Sequence, residues 1–231
     1  MSVQVFPNAA SLTQDVARRL TERLVRLQAE GRTPSMVLTG GTIAVEIYAA
    51  ISANGADWTN VDFYWGDERF VPEGHGDRND QQAKDAFLAR LEVPAARIHA
   101  MPAHDGSRGA RAAADDYARK LPEAPFDLVL LGMGPDGHIA SLFPGFAQLH
   151  ETARKVVEVF DSPKPPPVRV SLTMPTLNHA DSVWFMVSGT GKADAVSRAL
   201  GEGTLVDTPA TGVRGIHETL WLLDEAAASK L

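Results

Sequence analysis

Residues 128–145 read LVLLGMGPDGHIASLFPG, and this stretch decides the fold that we predict. Residues 128–131 are four apolar residues in a row, which is typical of the end of a buried strand. Residues 132–137 follow as a loop rich in glycine, a residue type that suits tight turns. His138 comes next and opens a short apolar run that we interpret as a helix. The stretch therefore places a titratable side chain at the carboxyl end of a strand, where open α/β sheets bind their ligands.

The same order of strand, glycine turn and helix recurs twice. The apolar residues 36–38 precede Thr39-Gly40-Gly41-Thr42 and a predicted helix over 43–53. The apolar residues 182–187 precede Ser188-Gly189-Thr190-Gly191-Lys192 and a predicted helix that ends at residue 200. Strands that alternate with helices predict one α/β domain over residues 1–231, in which helices cover both faces of a mostly parallel sheet. The three glycine turns then lie along one edge of the sheet and can surround one small ligand.

The other predicted elements follow from apolar periodicity and from proline content. Helices are predicted over 11–30, 79–91 and 108–121 and from Asp224 onward, and strands over 61–65, 155–160, 168–172 and 219–223. The segment 162–168 reads SPKPPPV and is predicted to be a loop.

Composition narrows the class of protein. The chain has no cysteine, which excludes disulfides and thiolate chemistry. Its net charge of −7 argues against general binding to nucleic acid. No apolar run approaches the ~20 residues that span a bilayer, and the first residues do not resemble a signal peptide. We therefore expect a cytoplasmic protein with a small-molecule ligand and no nucleic-acid or membrane partner.

The loop 132–137 also matches the dinucleotide-binding pattern G-x-G-x-x-G. Asp161 ends an apolar run roughly where that motif expects a ribose-binding acid. However, Pro135 stiffens the loop, and Pro144 interrupts the predicted helix six residues after His138. Because no second nucleotide-binding half follows either, we do not favour nicotinamide or flavin binding.

His138 is the catalytic candidate among the seven histidines. In the first turn of a helix, the helix dipole would keep its imidazole neutral, as a general base requires. The alternative is a packed or helix-capping histidine. Asp136 either caps the same helix or orients the imidazole, and the sequence leaves both open. No histidine pair has metal-ligand spacing and no G-x-S-x-G motif is present, so we expect no metal and direct attack by water.

Three further candidates for a binding site lie near other strand ends. Gly40 and Gly41 form either an anion cradle at a helix N-terminus or a plain tight turn. Asp67 and Arg69 belong to a solvated turn or to a site. Lys192 lies at the head of a helix, where a point charge suits a phosphate group, although the Walker pattern is incomplete and ATP hydrolysis is not expected.

The motifs together resemble the 6-phosphogluconolactonase family. In family order they are TGGT (39–42), WGDERFVP (65–72), Asn79, GMGPDGHIASLFPG (132–145), KPPPVRVSLT (164–173) and GTGKADAV (189–196). The resemblance implies a Rossmann-like, three-layer α/β/α fold similar to glucosamine-6-phosphate deaminase and ribose-5-phosphate isomerase. It also implies hydrolysis of 6-phospho-D-glucono-1,5-lactone to 6-phosphogluconate, the second step of the oxidative pentose phosphate pathway, without a cofactor, by a monomer or a homodimer.

The resemblance further implies the role of individual residues. His138 becomes the base that activates water, with Asp136 beside it. Amides of the loop, with Gly134 and Gly137 as candidates, or Arg69, stabilise the oxyanion. The substrate and its phosphate are expected to contact seven residues: Gly40, Gly41, Thr42, Asp67, Arg69, Arg169 and Lys192.

Two other functions compete with the lactonase. The deaminase motif resembles DGHIAFNEP, with a catalytic Glu five residues after the His, whereas this chain has Phe143 there. The deaminase also lacks the arginine that is Arg69 here, so both differences favour the lactonase. A non-catalytic sugar-phosphate sensor domain would need a DNA-binding segment, and the sequence contains no helix-turn-helix region outside the predicted sheet.

Overall fold

The computed structural model describes all residues from Met1 to Leu231. The nine strands are β1 (Ser2–Phe6), β2 (Ser35–Leu38), β3 (Asp62–Trp65), β4 (Asp67–Arg69), β5 (Phe126–Leu131), β6 (Val156–Val159), β7 (Arg169–Leu172), β8 (Ala180–Val187) and β9 (Glu218–Asp224). The six α-helices are α1 (Ala9–Ala29), α2 (Thr42–Ala50), α3 (Asn79–Ala83), α4 (Ala110–Ala118), α5 (Met174–Asn178) and α6 (Ala193–Leu200). Helix α3 continues into a π-helical turn over Lys84–Leu88.

The main sheet has six parallel strands in the order β1-β9-β8-β5-β2-β3. Its strand β5 has buried residues at every position, as expected for a parallel strand covered on both faces. Buried side chains of the sheet and of the amphipathic helix α1 join one hydrophobic core of 60 residues. The predicted α/β architecture is therefore confirmed. No helix combines the length and the apolar character needed to cross a membrane.

A second sheet, which the sequence did not predict, stands beside the main one. It has three antiparallel strands in the order β4-β7-β6. Strand β4 is the polar triplet Asp67–Arg69, and it begins just after Gly66 at the end of β3. Three charged residues have no apolar alternation, so only their pairing with β7 reveals the strand. This pairing places Arg69 directly opposite Arg169.

The prediction of a helix after Gly137 is wrong. Ile139 and Leu142 instead pair across a tight turn, with the Leu142 amide donating to the Ile139 carbonyl at 2.9 Å. Ala140 within this turn has φ 46°, which is incompatible with a right-handed helix. The six residues before Pro144 are too few to offset the cost of helix nucleation, and Ile139 and Leu142 are buried in the core instead.

Both chain termini differ from the prediction. Strand β1 was missed and forms an edge of the main sheet, paired with β9 only. The prediction of a C-terminal helix from Asp224 is wrong, because Glu225 and the five residues after it form turns. Asp224 ends β9 instead, where its carboxylate accepts hydrogen bonds from Ser188 Oγ at 2.5 Å and from the Ala227 amide at 2.7 Å.

Candidate active site

A cavity of about 500 Å³ lies at the carboxyl edge of the main sheet. All three glycine turns line it, which confirms that they share one edge. The lining includes most residues that the sequence and the resemblance indicated: Gly40, Gly41, Thr42, Asp67, Arg69, Gly134, His138, Arg169 and Lys192. Asp136 and Gly137 are not among the lining residues. None of the other six histidines reaches it.

His138 and Asp136 form a close pair. The Nδ1 atom of His138 lies 2.5 Å from Oδ1 of Asp136. Burial opposes ionisation of this carboxyl group, but the hydrogen bond and the charge of His138 outweigh it and lower the pKa of Asp136 to about 2. An ionised carboxylate only accepts hydrogen bonds, so Nδ1 of the imidazole is the donor, and in the neutral ring the lone pair then lies on Nε2. Asp136 therefore orients the imidazole, and no helix is present for it to cap.

The imidazole is also enclosed from two other sides. The ring of Phe143 packs against it, with the ring centroids 4.7 Å apart. The backbone of Gly134 lies against it so closely that a Cβ atom there would be 2.0 Å from His138 Nδ1. The predicted influence of a helix dipole on His138 is wrong, because no helix begins there. Its orientation comes from Asp136, Phe143 and Gly134 instead.

The catalytic loop, residues 132–138, has two glycine amides that are already occupied. The Gly134 amide donates to the His138 carbonyl at 2.9 Å, and the Gly137 amide donates to the Gly134 carbonyl at 3.0 Å. Gly137 has φ 90°, and its carbonyl accepts from the Ala210 amide at 3.1 Å. These bonds fix the loop around His138. They also leave neither glycine amide free to bind an oxyanion.

The first turn of α2 forms one wall of the cavity. Gly41 precedes this helix with φ 102°, a conformation that favours glycine. No side chain caps the helix, so the amides of its first turn have no side-chain acceptor. The positive end of a helix dipole together with free amides suits an anion. This geometry favours the anion cradle over the plain tight turn.

Two of the cations that line the cavity are lysines. Lys192 stands beside α6, and Lys164 reaches the cavity from the loop between β6 and β7. Burial lowers the pKa of Lys164, and burial together with the charge of Lys164 lowers the pKa of Lys192. A cavity that disfavours the charge of both ammonium groups through burial suits an anionic ligand, which would restore that charge. Sequence reasoning missed Lys164 as a site residue, because a proline-rich loop has no periodicity to show which way its side chains face.

Arg69 is a cation without a counter-ion. It makes no salt bridge, and its Nη1 donates to Oδ1 of Asn79. Asn79 in turn donates from Nδ2 to the Asp67 carbonyl at 2.8 Å, which fixes its amide group. The Nε atom of Arg69 is buried without a partner. Arg69 therefore presents an uncompensated charge to the cavity, a property that suits a negatively charged group of a ligand.

Arg169 and Asp67 also line the cavity, but other groups of the protein already bind their side chains. Both side chains are buried, and the Arg169 guanidinium donates to backbone carbonyls of the loop that carries Lys164. Asp67 accepts a hydrogen bond from Ser141 Oγ at 2.6 Å. Unlike Arg69, these two residues are engaged mainly with the protein itself.

Comparison with known proteins identifies the family of this chain. The family model described as glucosamine-6-phosphate isomerases/6-phosphogluconolactonase matches residues 7–221. A 6-phosphogluconolactonase of Mycobacterium leprae is 41% identical over 242 residues, which cover 100% of this chain and 98% of that protein.

Solved structures share the fold. The 6-phosphogluconolactonase of Trypanosoma brucei superposes with a TM-score of 0.86 at 26% identity, covering 100% of this chain and 98% of its own. A monomeric glucosamine-6-phosphate deaminase superposes with a TM-score of 0.83 at 19% identity, covering 100% of both chains. The second similarity concerns the fold alone, and it confirms the expected likeness to the deaminase.

Proposed function

The chain belongs to the glucosamine-6-phosphate isomerase/6-phosphogluconolactonase family, and we propose that it hydrolyses 6-phospho-D-glucono-1,5-lactone to 6-phosphogluconate. The observation that carries this proposal is the His138–Asp136 pair, which exposes a basic Nε2 in a cavity that also holds unpaired cations. An imidazole whose Nδ1 is paired with a carboxylate, next to a phosphate site, fits water activation at a phosphorylated ester. Two relatives that are 41% and 44% identical to this chain carry the same activity in their name.

The phosphate of the substrate is bound first. Lys164, Lys192 and the amides at the start of α2 line the cavity and favour a dianion. Binding of the phosphate fixes the orientation of the lactone and brings its carbonyl carbon next to His138. Such positioning converts attack by water into an effectively intramolecular step.

Hydrolysis then proceeds through one tetrahedral intermediate. Nε2 of His138 takes a proton from water, and the water oxygen bonds to the carbonyl carbon. The negative charge that develops on the carbonyl oxygen is stabilised by Arg69, because the amides of Gly134 and Gly137 are occupied. The bond from the carbonyl carbon to the ring oxygen breaks, and the ring oxygen takes the proton from His138. Asp136 stabilises the imidazolium between these two proton transfers.

Phe143 separates this proposal from deaminase chemistry. The resemblance places a catalytic Glu at this position in the deaminase, and here a buried phenyl ring packs on the imidazole. An apolar ring supplies no proton for ring opening of an amino sugar. We therefore expect no release of ammonia from glucosamine-6-phosphate. A sensor domain without turnover remains the second alternative, and measurement of turnover decides between them.

The test compares wild type with His138→Asn on freshly prepared lactone, with acid release as the signal. Asparagine keeps a polar group but removes the basic nitrogen, so the rate above spontaneous hydrolysis should fall by about 10²- to 10⁴-fold. The variant should still bind 6-phosphogluconate, since His138 is not a phosphate ligand in this proposal. Turnover by His138→Asn at the wild-type rate would show that His138 is not the base.

A further inference from the structure

The side chain of Arg169 is used to hold a loop. Its Nε donates to the Pro166 carbonyl at 3.2 Å, and its Nη2 donates to the carbonyls of Lys164 at 3.0 Å and Pro165 at 3.3 Å. The side chain is 6% exposed. A guanidinium has five donors in a fixed fork, and here the fork is directed at three consecutive backbone carbonyls.

This loop has few other connections. Residues 165–167 are prolines, which have no amide hydrogen to donate. The remaining hydrogen bonds inside the loop all involve Ser162. Its amide donates to the Pro167 carbonyl at 2.9 Å, its Oγ lies 3.0 Å from the Lys164 carbonyl, and the Lys164 amide donates to the same Oγ at 3.3 Å. Because Ser162 belongs to the loop itself, Arg169 is the side chain outside the loop that holds the Lys164 backbone over the cavity.

Asp67 anchors Arg169 from the opposite side. Its Oδ2 lies 3.8 Å from Nη1 of Arg169 and accepts from Ser141 Oγ at 2.6 Å. Its Oδ1 accepts from Asn79 Nδ2 at 3.3 Å. Ser141 is three residues after His138, so the carboxylate connects the loop that carries Lys164 with the loop that carries the catalytic histidine. The charge of Asp67 also compensates a guanidinium that is buried from water.

We infer that Asp67 and Arg169 form a clasp, a pair of positioning residues that holds Lys164 over the phosphate site without binding the phosphate themselves. The inference rests on the proposed function only in taking a phosphate as the ligand. It reassigns two residues that the sequence resemblance placed on the substrate. Loss of Arg169 then weakens phosphate binding only through the displacement of Lys164.

A double-mutant cycle tests the clasp. The dissociation constant of 6-phosphogluconate is measured by calorimetry for wild type, Lys164→Ala, Arg169→Lys and the double variant. Lysine keeps the positive charge but has a single nitrogen in place of the planar fork, so it cannot reproduce the separate contacts of Nε and Nη2. Loss of one charge-assisted hydrogen bond to the phosphate should raise the dissociation constant by at least about tenfold in each single variant. The double variant should bind within about twofold of Lys164→Ala, because residues that act through one contact are not additive.

Three outcomes would overturn the clasp. In the first, the double variant is weaker than Lys164→Ala by the full factor that Arg169→Lys shows alone, which means that Arg169 contacts the ligand directly. In the second, Arg169→Lys keeps wild-type affinity. In the third, Lys164→Ala keeps it. Steady-state kinetics add an independent readout, since a positioning role in phosphate binding raises KM for the lactone and leaves kcat within about threefold of wild type.

Controls separate the clasp from unfolding and from the proposed function. Arg97→Lys alters another paired arginine, 3.0 Å from Asp62 and outside the cavity lining, and should bind with wild-type affinity. If Arg169→Lys does not fold in a thermal melt, Asp67→Asn replaces it in the same cycle, because it removes the anchoring charge and keeps the shape. The cycle is repeated with inorganic phosphate, so it decides the clasp even if the wild type does not turn over the lactone.

Discussion

Gly134 is the residue whose substitution probes the catalytic geometry most directly. A methyl group added there by Gly134→Ala would lie 2.0 Å from both Cε1 and Nδ1 of His138 and 2.4 Å from Oδ1 of Asp136. The backbone of Gly134 does not have a positive φ, so alanine is not excluded by conformation. The substitution therefore acts through one physical effect, which is displacement of the His138–Asp136 pair.

The size of the effect follows from the geometry. An ordinary contact needs about 3.4 Å, so the imidazole has to move by more than 1 Å or the loop has to open. A misplacement of about 1 Å costs roughly 10²-fold in rate. We expect Gly134→Ala to lower kcat by about 10²-fold. Because the three atoms nearest to the new methyl group belong to His138 and Asp136 and not to a lysine, affinity for 6-phosphogluconate should change by less than about threefold.

The assay is acid release from fresh lactone, corrected for spontaneous hydrolysis, together with calorimetry on 6-phosphogluconate and a thermal melt. Gly66→Ala is the matched control, since its Cβ would meet no atom closer than 3.7 Å and Gly66 does not line the cavity. This control should keep kcat within about twofold. Wild-type kcat in folded Gly134→Ala would refute the reasoning that the backbone of Gly134 positions His138.

Three further predictions follow from the same site. Asp136→Asn should lower kcat by about 10²-fold in the acid-release assay, because the imidazolium loses its ionised partner; an unchanged kcat would mean that Asp136 only fixes the loop. Burial lowers the pKa of Lys164 and Lys192 below the ordinary 10.5, so their neutral amines accumulate at a lower pH than in a free lysine. Calorimetric affinity for 6-phosphogluconate should therefore already fall as the pH rises toward 10.5, and constant affinity over that range would contradict phosphate binding by these lysines. Phe143→Leu should lower the free energy of unfolding by roughly 1–2 kcal/mol in urea and reduce kcat, and a stability loss without any kcat change would show that the ring does not orient His138.

Sequence reasoning predicted the main sheet and the edge at which the site lies. Apolar runs identified β2, β5, β8 and β9, and alternation with helices indicated that they are parallel. Because parallel strands end at the same edge, the three glycine turns had to converge. These signals are local, and each is carried by residues that are adjacent in the chain.

The second sheet and the clasp depend on contacts between distant segments. Asp67 and Ser141 are 74 residues apart in the chain, and only the pairing of β4 with β7 brings Arg169 between Asp67 and the loop at Lys164. The sequence suggested phosphate binding by Arg169 because an arginine in a motif shows its charge but not its partners. In the structure its donors are directed at carbonyls instead.

The catalytic loop depends partly on the local sequence and partly on the tertiary structure. The sequence by itself determined that a histidine follows a glycine-rich turn at the end of β5, because the strand, the turn and the histidine are consecutive. The tertiary structure alone decided how that histidine is held. Burial of Ile139 and Leu142 in the core favoured a tight turn over a helix, and this turn places Phe143 and Asp136 on the imidazole. Packing of these apolar side chains against the rest of the chain favoured the turn over the helix that the local sequence predicts. Residues 128–145 alone do not show that packing.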